Sequence, residues 1–330
     1  MKILLTGAFG NIGQATLTAL LEDGHSVRCF DVPTKRNKKI AKRWQNGTAA
    51  IQWGDLRKLE DVQRAVAGQE IVIHLAFVIP NLSATGVGSE TNPDRAYEIN
   101  VGGAKNLIQA MKAQSSPPKL LFTSSLHVFG RTQHLSPPRR VSDPVMPAEH
   151  YSRHKVAVEE LVQKSGLTWT TFRLGAAMPV QMIFDAGMFD VPLDNRIEFV
   201  HRQDVARAIA NALKTEAVWG KMWLIGGGTR NQYVYRTMAS KILEAMGVGM
   251  LPDEAFSSIP YPTDWLDTTE SQRVLKFQQR TLDDFVAELR RKLGWKRTLI
   301  VLFRPAVRHW LLRHSPWYQQ PKQPPASVAT

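Results

Sequence analysis

Short apolar runs alternate with segments of helical periodicity through most of the chain. Uninterrupted apolar runs are typical of strands buried on both faces, and apolar residues at steps of three and four predict helices packed on them. The predicted strands cover residues 3–5, 25–30, 50–53, 71–75, 120–123, 168–174 and 221–225. The predicted helices cover residues 11–23, 59–66, 96–112, 151–164, 203–213, 236–246 and 282–293. This alternation predicts an α/β fold with a Rossmann-type, doubly wound parallel sheet.

A second pattern covers residues 295–314, where apolar residues recur at helical spacing and Arg297, Arg304 and Arg308 line another face. This predicts a basic amphipathic helix, which Pro305 should kink or split because proline removes a backbone hydrogen bond. Two interpretations stay open for this helix. It lies on an anionic membrane surface with its arginines at the headgroups, or it packs on the protein or on a partner subunit.

Composition narrows the class of protein. The 330 residues are 43% hydrophobic, which is enough for a large core. The single cysteine, Cys29, excludes an intrachain disulfide and favours a reducing, cytoplasmic compartment, with membrane association as an alternative. No apolar run is long enough to span a bilayer, and the first strand is interpreted as part of the fold and not as a signal peptide.

The formal net charge of +13 is concentrated in two places. Residues 290–330 contain nine Lys or Arg and no Asp or Glu, and a second basic cluster covers residues 35–43. Such patches are compatible with anionic ligands or membranes, but no nucleic-acid-binding module is recognised, so a nucleic-acid partner is not expected. We also predict no metal site.

A glycine-rich loop follows the first strand and precedes the first helix. Gly7 permits a tight turn, Gly10 lets the backbone approach a pyrophosphate, and Gly13 lets the helix pack close to the strand. The helix then directs its free N–H groups at phosphates. Strand, glycine loop and helix together predict a dinucleotide-binding site.

Asp31 ends the second predicted strand, where a carboxylate can accept hydrogen bonds from a ribose diol. This favours NAD, because a carboxylate would repel a 2′-phosphate. Lys35 and Arg36 lie close enough in sequence to keep NADP as an alternative, although a solvated basic loop is the preferred interpretation of these two residues.

The pattern loosens after Gly175, which suggests a change in organisation. We predict a dinucleotide-binding domain in residues 1–175 and a smaller substrate-binding region in residues 176–294. Residues 199–226 or so return to the first domain. Residues 295–330 form the amphipathic helix and a disordered tail that is rich in Pro and Gln.

Tyr151 and Lys155 lie four residues apart on one predicted helix, so both side chains share a face. A neighbouring ammonium lowers the pKa of a phenol, and such a pair can move a proton to or from an alcohol or carbonyl oxygen. Ser124 and Ser125 follow the strand at residues 120–123, at the sheet edge where ligands bind. A hydroxyl there can bind the same oxygen.

Several motifs resemble the extended short-chain dehydrogenase/reductase family over residues 1 to about 294. They are TGAFGNIG, GDLR, HLA, Asn100, TSSLHVFG, the Tyr151–Lys155 pair and FVHRQDVARAI. The resemblance implies a homodimer through residues 96–112 and 151–164. It implies Ser125, Tyr151, Lys155 and Asn100 as catalytic residues. It implies cofactor contacts from Gly7, Phe9, Gly10, Asn11, Ile12, Gly13, Asp31, Asp55, Leu56, Leu75, Ala76, Tyr151 and Lys155.

Departures from the family motifs reduce the range of reactions to be expected. Leu126 and His127 replace the Asp-Glu pair of dehydratases, and Ala176 and Ala177 follow the strand where many sugar-nucleotide epimerases have an asparagine. These features favour an oxidoreductase or epimerase acting at a hydroxyl or carbonyl carbon. A nucleotide-sugar epimerase and a non-catalytic dinucleotide sensor or scaffold stay as alternatives. Apolar residues suggest a lipophilic small-molecule substrate: Phe77, Val78, Ile79, Met178, Met182, Phe184, Met188 and Phe189.

Overall fold

A seven-stranded parallel sheet forms the centre of the computed structural model, which describes residues 1–44, 47, 49–80, 86–181 and 186–318. Its strand order is β3-β2-β1-β4-β5-β6-β8, and β7 pairs with β9 in a separate two-stranded sheet. The strands are β1 (Lys2–Thr6), β2 (Ser26–Asp31), β3 (Ala50–Trp53), β4 (Ile71–His74), β5 (Lys119–Ser125), β6 (Trp169–Leu174), β7 (Arg196–Glu198), β8 (Lys221–Ile225) and β9 (Gln232–Val234).

Twelve α-helices are present in the described part of the chain. They are α1 (Asn11–Glu22), α2 (Lys35–Ala41), α3 (Leu59–Val66), α4 (Pro93–Tyr97), α5 (Gly103–Lys112), α6 (His150–Gln163), α7 (Arg202–Ala212), α8 (Tyr235–Met246), α9 (Thr269–Leu275), α10 (Leu282–Leu293), α11 (Trp295–Leu302) and α12 (Arg304–His314).

The sheet carries a buried core on each face, which confirms the doubly wound α/β prediction. Leu5, Ile73 and Leu121 are paired across β1, β4 and β5, and they pack with residues of α1 and α7. The alternate positions, including Leu4 and Val72, pack with residues of α3, α5 and α6. Side chains alternate across a strand, so uninterrupted apolar runs fill both cores at once.

Two differences from the sequence prediction concern segments that contact predicted site residues. The helix expected at residues 96–112 begins at Pro93 and is interrupted by a π-helical segment, Glu98–Gly102, before α5. The basic stretch interpreted as a solvated loop contains α2, whose first turn is capped by Thr34: its hydroxyl accepts a hydrogen bond from the Asn37 N–H at 3.1 Å. A local cap therefore determines the conformation of this stretch.

The chain forms two compact units. Unit 1 contains residues 1–179, 196–233 and 262–285, and unit 2 contains residues 180–195, 234–261 and 286–330. The sequence-based division at residues 175 and 294 concerns function, and it stays a prediction. Cys29 is buried in β2, as expected for a small apolar residue, and burial raises the pKa of its thiol to about 12.

The C-terminal segment splits at Pro305 as predicted, giving α11 and α12. Arg297, Arg304 and Arg308, which the membrane interpretation places at the headgroups, each donate hydrogen bonds to backbone carbonyls of residues 244–250. Whether the segment contacts a membrane stays a prediction. No described helix is long and apolar enough to cross a bilayer. Residues 319–330, most of the tail predicted to be disordered, lie outside the described residues.

Candidate active site

The loop between β1 and α1 depends on close backbone approaches. Gly7 has a φ of +68°, and a Cβ there would lie 2.7 Å from the Ala76 nitrogen. A Cβ on Gly13 would lie 2.1 Å from the Gly7 carbonyl oxygen, whereas one on Gly10 would lie 3.2 Å from the same atom. Gly7 and Gly13 are therefore sterically required for the turn and for the packing of α1 on the loop.

The first turn of α1 presents backbone donors. The N–H groups of Asn11, Ile12 and Gly13 have no acceptor one turn earlier within the helix, and none of the described side chains caps this end. Gln14 is the first residue in α1 to donate to a loop carbonyl, that of Gly10 at 3.1 Å. Free donors at the positive end of a helix, beside a glycine loop, fit the pyrophosphate of a dinucleotide.

Asp31 lies beside this loop at the end of β2. Its carboxylate accepts hydrogen bonds from the Phe9 N–H at 3.0 Å, the Val32 N–H at 2.8 Å and the Asn37 amide at 2.9 Å. Burial raises the pKa of Asp31 to about 6, although the bonds from Phe9 and Val32 oppose this rise. These bonds aim the carboxylate at the loop, where it fits a ribose diol.

Phe9 is a core residue: its ring is fully buried and lies 5.3 Å from that of Trp53. Its backbone N–H, and not its ring, is what faces the predicted site.

Asp55 binds a protein cation that the sequence analysis did not anticipate. The Arg57 guanidinium donates to both carboxylate oxygens of Asp55. Burial alone would raise the pKa of Asp55, but the bonds from Arg57 outweigh burial and lower it. The next residue, Leu56, is buried, and its carbonyl accepts a hydrogen bond from the Asn106 amide at 2.9 Å.

The segment after β4 is hydrogen-bonded to Thr6 at the end of β1 and to Asn100. Leu75 and Ala76 donate their N–H groups to the carbonyl and the hydroxyl of Thr6. Asn100, in the π-helical segment, accepts from the Val78 N–H at 2.6 Å and donates to the Val78 carbonyl at 3.0 Å. The Asn100 amide is therefore bound to the Val78 backbone, and a catalytic role for this residue stays a prediction.

Ser125, Tyr151 and Lys155 converge at the carboxyl end of β5. Ser125 ends the strand, and its hydroxyl is hydrogen-bonded to Tyr151 on α6. The Lys155 ammonium donates to the Thr123 carbonyl at 2.7 Å and lies 3.5 Å from the centre of the Phe77 ring. The structure thus brings together the three residues that the sequence placed in one site.

The pKa values of this group differ from the simple expectation. Burial raises the pKa of Tyr151 to about 12, although the hydrogen bond to Ser125 opposes the rise. Burial lowers the pKa of Lys155 to about 7, against the attraction of Glu159. Helical spacing suggested that Lys155 would lower the Tyr151 pKa, but in this buried site desolvation is the larger effect.

Glu90 and Glu149 support the site and were missed in the sequence, whereas His127 was noted there only as a departure from the dehydratase motif. Glu90 accepts hydrogen bonds from the N–H groups of His150 at 3.1 Å and Tyr151 at 2.8 Å, so it caps the start of α6. The ring of His127 lies 2.9 Å from a Glu149 carboxylate oxygen and meets the Tyr151 ring edge-on. Glu149 directly precedes α6, so the sequence could have indicated a helix cap there. The contacts of Glu149 with His127 and of Glu90 with α6 join distant parts of the chain and are not deducible from spacing.

The predicted apolar wall is only partly present. Phe77 contacts Lys155 and meets the Tyr151 ring edge-on, with centres 5.9 Å apart. Val78 is buried, and Phe189 is buried in unit 2 against Phe256, so both are core residues instead. Met182 and Phe184, which were predicted to line the same wall, lie outside the described residues.

The chain is similar in sequence to several known proteins. The family model "NAD dependent epimerase/dehydratase family" matches residues 3–183. The Photosystem II assembly factor Ycf39 of Cyanophora paradoxa is 31% identical over 174 residues, which are 53% of this chain and 45% of that protein. The 3-beta-hydroxysteroid dehydrogenase of Mycolicibacterium neoaurum is 34% identical over 127 residues, which are 38% of this chain and 32% of that protein. The chain thus spans less than half the length of these two relatives.

A solved structure extends the likeness in fold. The UDP-glucuronic acid 4-epimerase from Bacillus cereus, in complex with UDP-glucuronic acid and NAD, superposes with a TM-score of 0.73 at 21% identity. The match covers 89% of this chain and 100% of that one. The family model spans the glycine loop, Ser125, Tyr151 and Lys155. The chain therefore belongs to the NAD-dependent epimerase/dehydratase family, within the extended short-chain dehydrogenases/reductases, and its cofactor is NAD.

Proposed function

We propose that the chain catalyses NAD-dependent oxidation and reduction at a hydroxyl or carbonyl carbon, with Tyr151 as the general acid and base. The observation that carries this proposal is the convergence of Ser125, Tyr151 and Lys155 at the carboxyl end of β5. NAD supplies a nicotinamide that accepts a hydride from the reacting carbon or returns it. A non-catalytic binding protein has no physical need for this trio.

Each side chain has a separate task. The neutral phenol of Tyr151, favoured by its raised pKa, donates a proton to a carbonyl oxygen that is being reduced. In the reverse direction the phenolate takes the proton of an alcohol, and the hydrogen bond to Ser125 favours that form. The Ser125 hydroxyl binds the same substrate oxygen. Lys155, when protonated, stabilises the phenolate by its charge.

We propose a lipophilic secondary alcohol or ketone as the substrate. Phe77 contributes an apolar surface beside Tyr151, and Leu126 is a buried apolar residue that cannot carry a proton, which disfavours dehydration. The steroid dehydrogenase relative supports this class. The epimerase structure supports a nucleotide sugar as the alternative, although Ala176 and Ala177 lack the side-chain amide with which an asparagine could bind a diphosphate.

The test compares Tyr151→Phe with the unchanged chain. NAD reduction is followed by absorbance with a panel of secondary alcohols, including steroids, and with nucleotide sugars followed by product chromatography. Removing a general acid and base costs roughly a hundred- to ten-thousand-fold in turnover, whereas the NAD affinity should change little. Tyr97→Phe is the matched control, because Tyr97 is exposed on α4 and its ring contact with His154 survives. Equal turnover by Tyr151→Phe would refute the assignment.

The second candidate is a dinucleotide-binding scaffold or sensor with little or no turnover. The relative named as an assembly factor favours it. If NAD binds and no alcohol, ketone or nucleotide sugar is turned over, this candidate replaces the enzyme. Homodimerisation through residues 96–112 and 151–164, and a cytoplasmic location, stay predictions.

A further inference from the structure

The last two helices turn apolar side chains outward. Trp295, Leu302 and Phe303 are 70%, 69% and 58% exposed, and Leu299 and Trp310 are exposed as well. Along α11, residues 295, 299 and 302 are spaced by one helical turn each, so they form a continuous stripe. We call these five residues the C-terminal apolar surface. Contiguous exposed apolar residues on this scale mark an interaction site.

Three arginines of the same helices are bound to the backbone of a neighbouring segment. Arg297 donates to the Ala245 carbonyl at 2.9 Å, Arg304 to the Gly247 carbonyl at 2.9 Å, and Arg308 to the Met250 carbonyl at 2.5 Å. These carbonyls lie at the end of α8 and just beyond it, where a helix carries partial negative charge. The arginines therefore fix the orientation of α11 and α12 and leave the apolar residues outside.

The segment that carries this surface contains basic residues and no acidic ones. Residues 290–330 contain nine Lys or Arg and no acidic residue. Lys296 is exposed on α11 directly after Trp295, and Arg313 is exposed on α12 one turn after Trp310. Exposed Trp, Phe and Leu beside exposed cations are the combination that binds an anionic lipid interface.

We propose that the C-terminal apolar surface docks on an anionic lipid bilayer, lying in the plane of the interface. The aromatic residues enter the boundary between headgroups and acyl chains, and the cations contact anionic headgroups. A second copy of this surface is the less suitable occupant, because a two-fold contact would bring two cationic segments together without an acidic residue to offset them.

The test uses the full chain and co-sedimentation with vesicles of phosphatidylcholine and phosphatidylserine in a two-to-one ratio. Replacing Trp295, Leu302 and Phe303 together with serine should reduce the partition coefficient by roughly a hundred-fold, since partial burial of each contributes about five-fold. The matched control replaces Val145, Met146 and Ile259 with serine, because these apolar residues are exposed elsewhere in the chain. The control should bind like the unchanged chain.

A second variant tests the electrostatic contribution. Lys296→Gln together with Arg313→Gln should weaken binding by about five-fold per charge on the anionic vesicles and leave binding to pure phosphatidylcholine unchanged. Thermal melting should show all variants folded, since the replaced side chains are exposed. The proposal is overturned if the unchanged chain does not bind anionic vesicles, or if the triple serine variant binds equally well. It is also overturned if sedimentation shows that the surface joins two copies while no vesicle binding occurs.

Discussion

Replacing Lys155 with methionine should stabilise the protein while removing activity. Methionine keeps the length and apolar character of the side chain but removes the buried charge. The Lys155 pKa of about 7, against an ordinary 10.5, corresponds to about 5 kcal/mol at about 1.4 kcal/mol per pH unit. That is the cost of keeping the ammonium in the folded chain. Loss of the bond to the Thr123 carbonyl offsets about 1–3 kcal/mol of the gain.

The sign of the pH dependence follows from the same shift. Between about pH 7 and 10.5 the unfolded chain keeps the Lys155 proton and the folded chain does not, so the free energy of unfolding rises with pH in the unchanged protein. Lys155→Met lacks this rise. Its stability advantage should be largest at and below about pH 7 and should shrink by about 2–3 kcal/mol by about pH 9.

Urea unfolding followed by tryptophan fluorescence measures this difference at several pH values. Glu198 and Asp31, whose pKa values are raised by burial to about 7 and about 6, titrate in both proteins, and their effects cancel in the comparison. Lys164→Met is the control, because Lys164 is exposed at the end of the same helix and should change stability by less than about 0.5 kcal/mol at every pH. Parallel curves for Lys155→Met and the unchanged chain would refute the reasoning.

Two further predictions concern the loop and the core. Gly13→Ala should abolish NAD binding in calorimetry and lower the free energy of unfolding by about 1–3 kcal/mol through overpacking, because its Cβ would lie 2.1 Å from the Gly7 carbonyl oxygen. Gly102→Ala is the control: a Cβ at Gly102 meets open space, so this variant should bind NAD and keep its stability. Arg173→Met should cost about 3–5 kcal/mol in urea unfolding, because it leaves the Glu159 carboxylate buried without the guanidinium that binds it at 2.8 and 3.0 Å. If adding Glu159→Met to that variant restores no stability, the cost does not come from the unpaired charge.

Local patterns were sufficient to predict the sheet and the central site. A glycine loop between strand and helix has few alternative conformations, and parallel strands bring their carboxyl ends to one edge, so Ser125 and Tyr151 could be placed together from the sequence. The π-helical segment at Asn100 could not be predicted, because it depends on a tertiary contact, the pair of hydrogen bonds to the Val78 backbone.

The orientation of α11 and α12 and the pKa values of Tyr151 and Lys155 were less predictable, because both depend on tertiary contacts. The periodicity of residues 295–314 defined an apolar face and an arginine face, but it did not show which face would contact the rest of the protein. Hydrogen bonds from three arginines to backbone carbonyls determine that orientation. Likewise, the spacing of Tyr151 and Lys155 indicated an interaction but not the depth of burial, which determines the direction of both pKa shifts.

The position of β8 at the edge of the sheet has a consequence for synthesis on the ribosome. Among the strands that the structure describes, its one neighbour in that sheet is β6, which it joins in parallel register from Thr170–Lys221 to Leu174–Ile225. Until residue 225 is made, the outer backbone of β6 has no strand to pair with. At about 5–20 residues per second, translating residues 175–225 takes roughly 3–10 s. During that interval the nascent chain carries an unpaired strand edge, the kind of surface on which aggregation begins and chaperones act.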